Sequence, residues 1–217
     1  MNRRLALLVL PLLLVVAGCT AGTADDDPAP RPAAAERPSP FRDCATLATA
    51  PTPTSPGSGT PTPSTPGSDP TAPAAGGPAL PDLTLSCFTG GAPVALRSVA
   101  GPAVINVWAS WCPPCRKELP AFQRLSERAA GQFQVVGVNS RDSRSGAQSI
   151  GEDFGVRFPI LVDQGEALQR ELKRNAMPLT LFVDTDGRIR HIDATGALDD
   201  AQLAKLVRQH LGLTVPA

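Results

Sequence analysis

The sequence predicts an α/β domain with a mixed central sheet and helices on both of its faces. Short apolar runs rich in β-branched residues alternate with amphipathic segments. The first three of these segments are a strand, a helix and a second strand. Two strands of one sheet joined in this way imply a right-handed parallel crossover. A third observation places the domain in the chain. Of the 24 prolines, 15 lie between Pro28 and Pro81, and a segment with so few apolar side chains cannot offset the entropy lost on ordering. The folded domain is therefore expected at 80–213.

The predicted elements follow in the order β-α-β, an insertion, and then α-β-β-α. Residues 103–109 form an apolar run that suits a strand buried on both faces. The next segment has apolar residues at helical spacing, contains Pro120, which should kink it, and ends near Gly131. The remaining predictions are a strand at 133–138, a helix at 145–155, a strand at 158–162, a helix at 166–174, a hairpin of 179–183 with 188–192, and a helix at 199–211.

Composition excludes several classes of protein. The formal net charge is zero, whereas a nucleic-acid-binding protein needs a basic face, so no nucleic-acid partner is expected. No apolar run reaches the roughly 18 residues of a spanning helix. No cofactor and no metal site are expected, because the only histidines, His191 and His210, lie far in sequence from any cysteine pair. His191 and the charged run 141–144 are expected to face solvent.

The N-terminus has the pattern of an export signal. Arg3 and Arg4 precede an apolar stretch at 5–17, so residues 1–18 are expected to be a signal peptide. Residues 16–19 (VAGC) resemble the bacterial lipobox, which implies cleavage before Cys19 and a diacylglyceryl group on its thiol. Two acyl chains hold a protein stably to a bilayer. The alternative is an ordinary signal peptide with a coincidental cysteine.

The expected location follows from the lipidated cysteine. We expect a lipoprotein on the outer face of the bacterial cytoplasmic membrane. Residues 19–79 would then comprise the lipidated residue, a membrane tether and a disordered segment rich in Pro and Thr.

The remaining cysteines are even in number. The chain has five, and assigning Cys19 to lipid leaves four in an oxidising compartment. Cys44 and Cys87 are expected to form a structural disulfide, whose long loop would be worth about 4 kcal/mol by the loss of chain entropy in the unfolded state. The alternative is that these two cysteines form a second redox relay.

Cys112 and Cys115 form a C-x-x-C pair directly after the first predicted strand, where a helix begins. Thiol–disulfide exchange needs an attacking thiolate and a second thiol that resolves the mixed disulfide. Cys112 at the N-cap would be stabilised as a thiolate by free N–H groups and the helix dipole, with Pro113 at the first helical position. We expect Cys112 to be the exposed nucleophile and Cys115 to be the partly buried resolving residue.

Two segments carry a family resemblance. Residues 107–120 (VWASWCPPCRKELP) resemble the active-site segment of extracytoplasmic thioredoxin-like proteins of the TlpA/ResA/DsbE group, and 177–184 (MPLTLFVD) resemble that group's second signature. The similarity covers about 80–213. It implies a thioredoxin-like fold and a protein-disulfide oxidoreductase.

The resemblance also implies roles for single residues. Pro178 would be a cis proline that faces the cysteine pair, and the backbone of Met177 would pair with a substrate chain by strand addition. Trp111 would cover the sulfurs and contact substrate together with Pro113 and Met177. The alternative for Pro178 is a trans proline that opens an edge strand.

A departure from cytosolic thioredoxin concerns the proton carrier. Where thioredoxin has a buried Asp, this chain has Asn106, which cannot act as a base. The group often has a Glu three residues after the second cysteine, and Glu118 matches it. Our hypothesis is that Glu118 assists deprotonation of Cys115, and the alternative is a solvated carboxylate paired with Arg or Lys.

The function implied is a membrane-anchored reductase of protein disulfides, with apocytochrome c maturation as one role. Its partners would be protein disulfides or dithiols and a membrane electron donor, because an oxidising compartment cannot reduce it again. The alternatives are a copper-binding chaperone and a non-catalytic docking module of thioredoxin fold.

Overall fold

The structure is a computed structural model that describes residues 37–50, 76–129 and 131–215. The expected signal peptide, Cys19 and most of the expected tether lie outside the described residues. The chain divides into two units, Met1–Arg37 and Pro38–Ala217, and every element below belongs to the second. Within the described part, no helix is both long enough and apolar enough to cross a membrane.

Seven strands form one mixed sheet. They are β1 Thr84–Cys87, β2 Val94–Ala95, β3 Ala103–Trp108, β4 Gln134–Ser140, β5 Ile160–Asp163, β6 Leu179–Val183 and β7 Ile189–Asp193. Their spatial order is β2-β1-β5-β4-β3-β6-β7. The central strands β3, β4 and β5 run parallel, while β1, β2, β6 and β7 add antiparallel edges. The sheet is therefore mixed, as predicted.

Four α-helices accompany the sheet. They are α1 Pro113–Arg128, α2 Arg144–Asp153, α3 Ala167–Glu171 and α4 Asp200–Leu211, with short 3-10 helices at Ala45–Ala48 and Leu96–Ser98. α1 continues through Pro120 and ends at the cap Ala129, so the expected end near Gly131 is late by two residues. α4 begins with a capping box between Asp199 and Gln202 and ends at Gly212, whose φ of 68° suits glycine.

The two faces of the sheet bury separate apolar clusters. On β3, Val104 and Trp108 point to one face and Ile105 and Val107 to the other, as strand geometry requires. The first cluster, which we call the α1 face, contains buried side chains of α1, α2 and α4. The second, which we call the α3 face, contains those of α3 and of both 3-10 helices. Helices on both faces confirm the predicted fold class.

The folded part begins earlier than the expected residue 80. Phe41, Cys44 and Leu47 are all buried, and the Arg42 N–H donates to the Arg157 carbonyl at 2.8 Å. We call residues 38–50 the N-terminal strap. It belongs to the stretch expected to be disordered, and it packs because its three apolar residues recur at intervals of three among prolines and polar residues. Strands β1 and β2 were also not predicted from the sequence.

Candidate active site

Cys112 and Cys115 are joined by a disulfide at the start of α1. The S–S distance is 2.03 Å and the two Cα atoms lie 5.3 Å apart. Cys112 is the N-cap and Pro113 and Pro114 are the first two helical residues, so Cys115 is the third, as predicted. The turn between β3 and the helix closes where the Cys112 N–H donates to the Ala109 carbonyl at 3.2 Å.

The local electrostatics favour a negative sulfur at Cys112. The Cys115 N–H donates to the Cys112 Sγ at 3.3 Å, and Pro113 and Pro114 have no N–H to add. The first turn of α1 carries no acidic residue. A thiolate at this N-cap would therefore have one direct amide donor and the positive end of the helix dipole as its stabilising partners.

The exposure predicted for the two sulfurs is wrong. Cys112 is only 4% exposed, not the exposed nucleophile expected, and Cys115 is fully buried rather than partly buried. The disulfide explains the difference, because the Sγ of Cys112 turns inward to reach Cys115. The outer surface of the site is formed instead by Trp111, which is 55% exposed, and by the exposed Pro113.

The peptide bond between Met177 and Pro178 is cis, as the family resemblance implied. β6 begins directly after Pro178 and pairs antiparallel with β3, with Leu179 opposite Val107. That register places the buried Pro178 beside Trp108, at the end of β3 from which the cysteine pair follows. Met177 is half-buried and packs against both apolar clusters.

Glu118 points inward and is 1% exposed. One of its oxygens, Oε1, accepts from the Asn106 side-chain amide at 2.7 Å, and Oε2 accepts from the Leu198 backbone N–H at 3.1 Å. The alternative of a solvated carboxylate is therefore wrong. Burial raises the pKa of Glu118 from 4.5 to about 7, against two hydrogen bonds that lower it, and the negative charge of Asp193 adds to the rise.

The sequence did not predict Asp142, which holds the residues before the nucleophile. Its carboxylate is 6% exposed and accepts from the Ser110 backbone N–H at 2.5 Å and the Ser110 hydroxyl at 2.6 Å. The preceding carbonyl, that of Arg141, accepts from the Trp111 indole N–H at 2.8 Å. The expectation that the whole run 141–144 faces solvent is wrong at Asp142.

A signal for Asp142 was present in the sequence. Ser110 lies two residues after β3, and Asp142 lies two residues after β4. Parallel neighbouring strands end at the same edge of a sheet, so polar residues at matching positions after them meet there.

Cys44 and Cys87 form a second disulfide. The S–S distance is 1.97 Å, the Cα atoms lie 5.9 Å apart, and 43 positions separate the two residues in sequence. Both residues are buried in the cluster on the α3 face, whereas Cys112 and Cys115 are buried in the cluster on the α1 face. The sheet therefore stands between the two disulfides.

The two histidines contact each other. The rings of His191 and His210 stack with centroids 4.0 Å apart and 4° between their planes. The His191 side chain is 33% exposed, so the expectation that it simply faces solvent is wrong. Within 37–50, 76–129 and 131–215, no three His, Cys, Asp or Glu residues are grouped as a metal site would require.

Comparison with known proteins gives consistent matches. Residues 74–207 match the family model described as Redoxin. The chain is 31% identical over 120 residues to the thioredoxin-like protein YneN of Bacillus subtilis, covering 54% of this chain and 69% of that protein. It is 29% identical over 137 residues to the thiol-disulfide oxidoreductase ResA of Geobacillus thermodenitrificans, covering 62% and 75%.

A solved structure gives the same result for the fold. A secreted thiol-disulfide isomerase from Corynebacterium glutamicum is 26% identical, with a TM-score of 0.53 over 61% of this chain and 83% of that one. These matches confirm the thioredoxin-like architecture that the two signatures implied.

Proposed function

Because the chain belongs to the Redoxin family and is a thiol–disulfide oxidoreductase, we propose that it reduces protein disulfides outside the cytoplasm of a bacterium. The observation that carries this proposal is the Cys112–Cys115 disulfide at the start of α1. The position of Pro178 beside Trp108 of β3 and the burial of Glu118 support it. The names of relatives such as ResA, a thiol-disulfide oxidoreductase, agree with it.

The first step is attack by the reduced enzyme on a substrate disulfide. The Cys112 thiolate forms a bond to one substrate sulfur, and the substrate disulfide breaks, so that the other substrate sulfur leaves as a thiolate. The Cys115 N–H and the positive end of α1 stabilise the attacking thiolate. Cys112 must turn outward for this step, because its sulfur is buried in the oxidised enzyme.

The second step resolves the mixed disulfide. The Cys115 thiol gives its proton to the Glu118 carboxylate, and the new thiolate attacks the Cys112 Sγ. The bond between Cys112 and the substrate breaks, and the second substrate sulfur leaves as a thiolate. A pKa of about 7 leaves Glu118 about half ionised near neutral pH, so it can accept this proton and later release it.

The substrate surface would consist of Trp111, Pro113 and Met177. Trp111 is the most exposed large apolar side chain of the described residues, and it lies immediately before the nucleophile. A substrate strand would pair with the Met177 backbone beside the cis proline. Reduced apocytochrome c is the product that we propose, and a membrane dithiol protein would return the oxidised pair to its reduced form.

The location at the membrane rests on the sequence around Cys19. A diacylglyceryl group on this residue would hold the domain at the outer face of the cytoplasmic membrane. Cys19→Ala should move the protein from the membrane fraction to the soluble fraction, while Thr20→Ala should leave it in the membrane. A Cys19→Ala protein that stays with the membrane would contradict the anchor.

The experiment that tests the function is trapping of the substrate. Cys115→Ser removes the resolving thiol, so Cys112 should accumulate mixed disulfides with its substrates in the native host. Mass spectrometry after non-reducing separation identifies the partners, and Cys112→Ser/Cys115→Ser is the control that should trap none. Recovery of the Cys115→Ser chain with no mixed disulfide at Cys112 would overturn the proposal.

A further inference from the structure

Asn106 has a buried acceptor that nothing else in the mechanism explains. The residue is fully buried on β3, six positions before Cys112. Its Nδ2 donates to Glu118 Oε1 at 2.7 Å, yet its Oδ1 has no hydrogen-bond partner among the residues that the structure describes. A buried acceptor left unpaired is unfavourable, so its persistence calls for a reason.

The other oxygen of Glu118 determines where a proton can sit. Oε2 accepts from the Leu198 backbone N–H at 3.1 Å, and a backbone N–H cannot become an acceptor. A proton on Glu118 therefore lies more favourably on Oε1, which faces Asn106. The Asn106 Nδ2 is a donor only, so in its present orientation it cannot pair with that proton.

A half-turn of the Asn106 amide removes this conflict. Rotation about its Cβ–Cγ bond exchanges Oδ1 and Nδ2, which places Oδ1 where Nδ2 now lies, 2.7 Å from Glu118 Oε1. The unpaired Oδ1 would then accept from the protonated carboxyl group. One side chain thus matches both forms of Glu118, donating to the carboxylate and accepting from the acid.

We propose that Asn106 is a positioning residue whose side-chain amide turns each time Glu118 gains or loses a proton. The inference rests on the proposed function, in which Glu118 takes the proton of Cys115. The amide of Asn106 neither gains nor loses a proton near neutral pH, so the titrating proton stays on Glu118, and Asn106 is hydrogen-bonded to Glu118 in both of its forms. Cytosolic thioredoxin has one buried Asp, whereas this chain has two residues in its place. Glu118 carries the proton, and Asn106 turns its amide to form a hydrogen bond with either form of Glu118.

The charged groups near Glu118 are few. Asp193 raises its pKa through its negative charge, and His191 Nε2 lies 3.9 Å from an Asp193 oxygen. Cys115 is held in the disulfide of the oxidised enzyme and does not titrate. The oxidised enzyme therefore separates the titration of Glu118 from that of the thiols.

The direct test uses nuclear magnetic resonance on the oxidised full chain. The Glu118 carboxyl carbon and the Asn106 side-chain amide group are followed as the pH is raised through about 7, the pKa of Glu118. We expect both signals to change with one midpoint, with the Asn106 amide protons hydrogen-bonded above it and free below it. Amide protons that stay hydrogen-bonded across the whole titration would overturn the inference.

Substitutions give a second test with a matched control. Asn106→Leu should raise the pKa of Glu118 by on the order of one unit, because the carboxylate loses a charge-assisted hydrogen bond and the acid loses a weaker one. Asn106→Thr should restore most of the original value, because a hydroxyl both donates and accepts. Asn139→Leu removes an equally buried amide, 1% exposed, from the neighbouring β4 and should leave the pKa of Glu118 unchanged.

The outcomes separate this inference from the proposed function. An unchanged pKa of Glu118 in a folded Asn106→Leu chain would overturn the role of Asn106, while substrate trapping on Cys112 could still succeed. Conversely, a Cys115→Ser chain that traps nothing would overturn the reductase, while a coupled titration of Asn106 and Glu118 would still show that the amide follows the proton.

Discussion

The Glu118 carboxyl group is the one charged side chain of α1 that the fold buries. Its two oxygens face a side-chain amide and a backbone N–H, and neither group can neutralise a full negative charge. Desolvation therefore dominates, which is why its pKa rises to about 7. A carboxyl group in this state is suited to moving a proton near neutral pH, and the same shift affects stability.

The first prediction concerns the rate of disulfide reduction. Glu118→Gln keeps the size of the side chain but cannot take the proton of Cys115, so insulin reduction at neutral pH should slow by about 10²-fold or more. Because the pKa of Glu118 is about 7, the rate of the original chain should change with pH near 7, and this dependence should be absent from Glu118→Gln. Glu127→Gln, the same change at an exposed position of α1, is the control. An unaltered pH–rate profile in Glu118→Gln would rule out proton transfer by this residue.

The second prediction concerns stability and pH. Because the folded pKa of Glu118 is about 7 and its ordinary value is 4.5, the folded chain holds a proton between these pH values that the unfolded chain has lost. The contribution of Glu118 to stability is thus fully present below pH 4.5 and is lost as the pH rises through about 7. The loss amounts to about 3 kcal/mol.

Urea unfolding of the oxidised chain against pH measures this contribution. The free energy of unfolding of the original chain, minus that of Glu118→Gln, should fall by this amount across the interval, because the neutral amide has no such titration. A difference that stays constant with pH would mean that Glu118 is ionised in the folded chain throughout.

Sequence reasoning reached some residues of the site and missed others for a physical reason. Cys112, Cys115 and Glu118 lie in one continuous segment whose spacing on a helix can be read directly. Asp142 depends on hydrogen bonds between the turns after β3 and β4, which lie 32 positions apart. The role of Asn106 depends on the inward direction of the Glu118 side chain, which brings a strand residue and a helix residue within 2.7 Å of each other. The exposure of Cys112 depends on the redox state of its sulfur, which the sequence does not contain.

At the scale of elements, the site is built where two parallel strands end. The turn after β3 carries Ser110 and Trp111, and the turn after β4 carries Arg141 and Asp142, which accept the hydrogen bonds of the first pair. A third strand end contributes as well, because the Gln164 side chain, just after β5, donates to the Asp142 carbonyl at 2.7 Å. These turns form one hydrogen-bonded edge that fixes the approach to Cys112.

The third prediction tests that edge. The Asp142 carboxylate accepts hydrogen bonds from Ser110 and from the Asn139 side-chain amide, the latter at 2.9 Å. Asp142→Asn replaces one accepting oxygen with an NH2 group, which can only donate and therefore cannot pair with these donors. The free energy of unfolding should fall by about 1 to 3 kcal/mol, and substrate reduction should slow because Trp111 loses its fixed position. Asp153→Asn, at the exposed end of α2, should change neither quantity. An Asp142→Asn chain with full activity and stability would show that the edge does not position the nucleophile.

Two strands that the sequence predicted, β3 and β6, differ in burial from the two strands that it missed. β3 and β6 are buried along their whole lengths, so their apolar runs are continuous and easily recognised. β1 alternates exposed and buried residues over four positions, and β2 has only two residues. Such short strands are held in place by neighbours, which no local pattern specifies.

At the scale of the whole molecule, the two disulfides serve different faces of one sheet. Cys112–Cys115 lies on the α1 face with the buried side chains of α1 and α4. Cys44–Cys87 joins the N-terminal strap to β1 on the α3 face. Direct exchange between them would require one pair to pass through the sheet, so the arrangement argues against a relay and for a structural role of Cys44–Cys87.

The N-terminal strap also packs against Phe88, which contacts a residue near the active site. The Phe41 ring packs edge-on against Phe88 at 4.7 Å, and the Arg144 guanidinium lies 4.4 Å above the Phe88 ring. Arg144 also donates to the Phe88 carbonyl at 2.8 Å and begins α2, two residues after Asp142. Loosening the N-terminal strap would therefore act on the active-site edge indirectly, through Phe88 and through α2, where the Gln148 side chain donates to the Pro38 carbonyl at 3.3 Å.

The fourth prediction follows from this separation. Cys44→Ala/Cys87→Ala removes a cross-link over 43 positions, which should lower the free energy of unfolding by about 4 kcal/mol because the unfolded chain gains entropy. The same chain, where folded, should reduce insulin at nearly the original rate and should keep the redox potential of Cys112–Cys115, since no electron passes through the removed sulfurs. Cys112→Ala/Cys115→Ala is the matched variant, which should lose all reductase activity. If electrons instead moved between the pairs, the chain without Cys44 and Cys87 would stay folded yet fail to turn over, and the structural assignment would be wrong.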